Sequence, residues 1–159
     1  MRMRRILTVF VAVCLLVGVM ATAGAARGSD GVTGFEVNVI VNPDTEVYYD
    51  WGFTLYEELR TTDGEHLGWS AGPCFNTNPD LGAESAEYVC DFGMQFPDGK
   101  ITVNGAINMT EFFAGDTVVA VTGGTGKFTH VSGEMAIIPA EDFSHSRLVF
   151  EVKHAKAGY

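Results

Sequence analysis

Residues 88–108 read YVCDFGMQFPDGKITVNGAIN. At its centre Pro97-Asp98-Gly99 is a turn: the proline presets one backbone dihedral and the glycine accepts positive φ at no steric cost. Beyond the turn, Ile101, Val103 and Ile107 alternate with Lys100, Thr102 and Asn104, so one face of an extended segment is apolar. Tyr88 to Phe96 supplies the other arm. Two strands joined by a tight turn set the expectation for the rest of the chain.

The same signals recur on both sides. Thr33 to Val41 is a strand ended by Asn42-Pro43-Asp44, and Val47 to Leu55 is the next. Glu57 to Gly64 is polar and reads as a loop. His66 to Ala71 is a short strand stopped by Gly72-Pro73, and Asn76 to Ala86 is a Pro-, Gly- and Asn-rich loop. After the hairpin come Thr117 to Thr122, Phe128 to Ile138 with Gly133 as a bulge or close-packing point, and Ser146 to Lys153. No stretch reads as a long amphipathic helix. Eight short strands with hairpin-length links predict an all-β fold, a closed antiparallel barrel or a sandwich, with no second domain and no repeat. A closed eight-stranded antiparallel β-barrel has no open edges and can hold one small ligand.

The N-terminus has another character. Met1 to Arg5 carries three arginines, Ile6 to Ala21 is almost unbroken apolar sequence, and Ala21-Thr22-Ala23 and Ala23-Gly24-Ala25 both fit small-residue cleavage sites. These are the three parts of a secretory signal peptide, expected over residues 1–25. The apolar run falls short of the roughly 20 residues that span a bilayer, and no basic cluster follows it. Residues 26–159, 134 of the 159, form the expected domain, long enough for a real core. Without the three leader arginines, 20 acids face seven bases, a net charge of −13. That charge disfavours nucleic acid and anionic membrane surfaces and suits solubility outside the cell. Cys14 leaves with the leader. Cys74 and Cys90 remain as an even pair in an oxidising compartment and are expected to form a disulfide.

Several motifs have ordinary structural explanations. Gly123-Gly124-Thr125-Gly126-Lys127 lacks the first glycine and the final hydroxyl of a phosphate loop, so a glycine-rich turn between strands is expected. Asn108-Met109-Thr110 is a glycosylation acceptor pattern in hosts that glycosylate. The acids between Asp44 and Glu65 lack the order of a calcium loop. His66, His130, His145 and His154 form no metal or nucleophile pattern, so no metal is expected. Aromatic residues are numerous for one small domain. Most must be core, and part of the set would line a cavity if the barrel has one.

Residues 115–128, GDTVVAVTGGTGKF, followed by Val131-Ser132-Gly133-Glu134, resemble the allene oxide cyclase and dirigent superfamily, with its glycine-rich turn, following aromatic and later glycine. Residues 67–74, LGWSAGPC, and 99–105, GKITVNG, are similar to two segments of the cyclase branch. The resemblance implies an eight-stranded antiparallel barrel of the calycin or lipocalin kind, an apolar cavity, assembly as dimers or trimers, and no cofactor. It also implies a partner that is a small hydrophobic organic molecule, held in one productive conformation for cyclisation or isomerisation. Phe35-Glu36-Val37-Asn38 is similar to the Y-E-I-N stretch of the cyclases, in which the glutamate and asparagine face the cavity. Glu36 and Asn38 are two apart on a strand and share a face, which implies a catalytic polar pair; a solvent-facing pair on an alternating strand fits the same pattern. Cys74 falls where cyclases carry a cavity cysteine, and Cys90 is a departure that captures it. Two functions follow: a secreted cyclase or isomerase, or a lipocalin-like carrier that binds an apolar ligand without chemistry. A barrel with a filled core acting through its surface is a third.

Overall fold

The hairpin of residues 88–108 is present in the structure, a computed structural model that describes residues 32–154 apart from 81, 83 and 84. The expected leader and Cys14 lie outside the described residues. Strands β1 (Val32–Ile40), β2 (Val47–Tyr49), β3 (Gly52–Arg60), β4 (His66–Asn76), β5 (Glu87–Phe96), β6 (Gly99–Asn108), β7 (Thr117–Gly126), β8 (Val131–Pro139) and β9 (His145–His154) follow one another, with one helix, α1 (Met109–Ala114), between β6 and β7. All neighbours pair antiparallel, in the order β1-β9-β8-β7-β6-β5-β4-β3-β2, and β1 also pairs with β3. That last pairing, Asn38 with Arg60 through Ile40 with Glu58, closes eight strands into a barrel and leaves β2 as an extra strand beyond its rim.

Inward residues alternate along every wall. Cys90, Phe92, Met94 and Phe96 on β5 and Ile101, Val103 and Ile107 on β6 are buried, while Asp91, Gln95, Thr102 and Asn104 between them are exposed. One end of the barrel is sealed by aromatic rings. Phe35 stacks on the fully buried Phe150 at 4.4 Å between centroids, and Phe96 and Phe128 pack on Phe35 and on each other. Each such ring removed from water contributes about 2 kcal/mol or more.

Three strands run longer than their local sequence signals. β3 continues past Leu55 to Arg60, turning the expected polar loop at Glu57 into wall, with Glu57 and Leu59 pointing inward. β4 passes through Gly72-Pro73 to Asn76, and the β4–β5 pairing is interrupted there, between the Ala71–Gly93 and Cys74–Cys90 pairs. The proline is accommodated because the ladder pauses where it has no amide hydrogen to give. β7 extends through the glycine-rich segment, and the turn falls at residues 127–130 instead. The glycine at 124 serves close approach: a Cβ there would sit 2.6 Å from the Phe128 carbonyl oxygen and 2.8 Å from its Cβ, so only glycine lets Phe128 fold back onto the aromatic seal.

Helix α1 was invisible to periodicity, being six residues long, but its ends are well marked. Asn108 Oδ1 accepts from the backbone N–H of Thr110 and Glu111, and Gly115 ends the helix at φ 77° in the left-handed region. The glycosylation-like asparagine is thus a helix cap.

Candidate functional site

The ends of β1, β4, β6 and β8 and the starts of β3, β5, β7 and β9 meet at the barrel end opposite the aromatic seal, and there a cavity of about 500 Å³ opens. Its body is apolar. Phe92 and Met94 come from β5, Met135 and Ile137 from β8, and Leu148 from β9. The rim carries Tyr48 on β2, Phe113 on α1 and Phe143 in the β8–β9 turn, and all three rings are exposed. Phe113 and Phe143 meet edge to face at 5.5 Å.

A few polar side chains interrupt this lining. Glu57 is buried to 9% exposure, although it is a glutamate, and among the described residues its carboxyl has no hydrogen-bond or ion-pair partner. Burial, and then the charge of Glu46, push its pKa up to about 7. Ser70, 3% exposed, sits directly across the β3–β4 ladder from it. Ser146 on β9 adds a second buried hydroxyl. Nearer the rim, the Tyr48 hydroxyl donates to Glu46 Oε2, and that bond above all, followed by burial, raises the phenol to about 12. Tyr48 is therefore neutral, with its one hydroxyl proton directed at Glu46. The described lining contains two carboxyl groups and no lysine, arginine or histidine. A carboxyl poised near neutrality in an apolar enclosure can donate a hydrogen bond or a proton to a ligand, or take one.

Cys74 and Cys90 are joined in a disulfide with an S–S distance of 2.03 Å, and both line the cavity. The bridge ties β4 to β5 just beyond the interrupted stretch of their ladder.

Glu36 and Asn38 lie outside the lining of this cavity. Val37 and Val39 are the buried residues of β1, and alternation turns Glu36 and Asn38 to the opposite face. Glu36 is 44% exposed and pairs with Arg147 at 3.6 Å. It borders a separate hollow of about 370 Å³ at the sealed end, which shares no lining residue with the main cavity. Glu57 is hidden because the run Glu57 to Gly64 is polar, and Ser70 because a single serine in the expected strand His66 to Ala71 does not show which way it faces. The signal that finds Glu57 is its place in Phe53, Leu55, Glu57, Leu59, a period-two series that shares one face.

Among the described residues, no group of three or more His, Cys, Asp or Glu side chains is placed to hold a metal ion, and no helix is long and apolar enough to cross a membrane.

No family model and no curated protein sequence matches the chain. Solved structures do match in fold. A pyocyanin demethylase superposes with a TM-score of 0.60 at 19% identity, covering 76% of this chain and 100% of that one. An exo-specific intermolecular Diels-Alderase, AbnU, gives 0.56 at 15% identity, over 79% and 98% of the two chains. A pterocarpan synthase dirigent protein gives 0.54 at 16% identity, over 79% and 97%. The closed antiparallel barrel and these matches show that the chain shares its fold with the Diels-Alderase and dirigent protein structures.

Proposed function

We propose that this barrel is an exported protein that binds a small hydrophobic organic molecule in its cavity and guides its cyclisation or isomerisation without a cofactor. The observation that carries the proposal is Glu57: a buried, unpartnered carboxyl facing a ligand-sized apolar cavity. Burying such a group costs stability unless a ligand uses it. Support also comes from proteins of the same fold, whose names describe a demethylase, a Diels-Alderase and a synthase.

The chemistry divides between shape and one acid. The apolar walls hold a flexible substrate folded, with its reacting atoms close, which lowers the entropic part of the barrier. Glu57, protonated up to about neutral pH, donates a hydrogen bond to an electronegative atom of the substrate. That bond strengthens as charge develops on the atom during ring closure. Ser70 offers a further donor on the neighbouring strand. Export is supported by the leader pattern of residues 1–25 and by the disulfide.

The outward position of Glu36 and Asn38 favours a second reading, a carrier that binds without conversion. One experiment separates the two. Native mass spectrometry of the protein from its own host identifies a co-purifying ligand, which is then offered to the wild type and to Glu57→Gln. An enzyme converts it and loses conversion in the variant while still binding; a carrier returns it unchanged. A barrel that takes up no small molecule would overturn both.

A further inference from the structure

The charge of the cavity narrows the class of molecule it takes. Glu46 and Glu57 both line it, and the described lining holds no basic side chain. The two carboxyls sense one another, since the charge of Glu46 contributes to holding the proton on Glu57. Glu46 uses one oxygen on the Tyr48 hydroxyl and, among the described residues, forms no other hydrogen bond or ion pair. One exposed aromatic ring, Tyr48, lies against it, and two more share the cavity rim. Tyr48 is 71% exposed, and Phe113 and Phe143 expose about half their surface at the same rim. The turn that carries Phe143 is tied to the segment leading to Glu46, because the Val41 N–H donates to the Ser144 carbonyl at 3.2 Å. Carboxylate and ring faces together form the usual surroundings of an organic cation: the rings attract positive charge through their quadrupoles and the carboxylate through its full charge. A carboxylate or phosphate ligand would meet only repulsion here.

We propose that the ligand is a lipophilic cation, an apolar ring system or chain bearing an amine or quaternary nitrogen, with its body in the cavity and its nitrogen against Glu46 and the aromatic rim. The proposal rests on the cavity being the ligand site and deepens that reading. Glu57 keeps its role as the acid further in, and Glu46 becomes the residue that sets specificity. The unpartnered, buried Glu57 is the independent sign that the cavity is built for an occupant.

Three probes of one outline test it: N-methylacridinium as the cation, 9-methylanthracene as the neutral form and anthracene-9-carboxylate as the anion. Each is titrated by fluorescence against the full-length exported protein and against Glu46→Gln. The wild type is expected to bind the cation about tenfold or more tighter than the neutral probe and to reject the anion. Glu46→Gln should erase that preference while leaving the neutral probe's affinity within about twofold. Equal binding of cation and neutral probe, or a cation preference that survives Glu46→Gln and so belongs to the acidic surface at large, overturns the proposal and leaves the cavity reading standing. Failure of all three probes to bind overturns the cavity reading as well.

Discussion

Glu57 on β3 and Ser70 on β4 are direct cross-strand partners, and both side chains face the cavity. Their Cβ atoms are therefore within about 5 Å of one another, close enough for a carboxyl and a hydroxyl to address one ligand atom from two sides. Ser70→Ala removes one of those donors without changing the shape of the wall. Conversion of an identified substrate should fall by about tenfold or more, with the urea midpoint nearly unchanged. Unaltered turnover would remove Ser70 from the site.

Glu57 gives stability a pH dependence. Its pKa is about 7 in the folded chain against an ordinary value of 4.5. Between those values the folded protein holds a proton that the unfolded chain has released. Stability therefore falls as pH rises through that window and levels off above it. The full effect is on the order of 3 kcal/mol. Denaturant unfolding at pH 5 and pH 8 measures it, and Glu57→Gln should flatten the difference.

Glu36→Gln should behave in the opposite way. The Glu36–Arg147 pair is half exposed and 3.6 Å apart, so its loss should shift stability by less than about 1 kcal/mol. Ligand affinity and turnover should match the wild type, because Glu36 does not line the main cavity. Lost turnover in Glu36→Gln with activity retained in Glu57→Gln would return the site to β1.

The disulfide closes a loop with a sequence separation of 16. Replacing both cysteines by serine should cost about 3 kcal/mol by freeing that loop in the unfolded chain. It should also weaken ligand binding, since both sulfurs line the cavity and their strands meet at an interrupted ladder. Denaturant midpoints and probe titrations on the double variant check the two effects separately.

Strand arms and tight turns were legible in the sequence because they are local. Lys100 to Asn108 shows its apolar face in its own spelling, and Pro97-Asp98-Gly99 turns the chain wherever it occurs. Strand ends were less legible. Glu57 to Arg60, Gly72 to Asn76 and Gly123 to Gly126 look like loops or turns, yet neighbouring strands continue beside them and supply their backbone partners.

An all-β chain of eight strands, an even cysteine pair and an acidic balance follow from composition and period-two spacing. The place of the site does not. Which face of a strand becomes the inside of a barrel depends on the register at which β1 closes on β3 and β9, a relation between segments far apart in the chain. That closure turns Glu36 and Asn38 outward and Glu57 inward, against the impression that each makes in its local sequence. A polar residue on a strand is ambiguous until the sheet closes, and burial then raises the pKa of the carboxyl left inside.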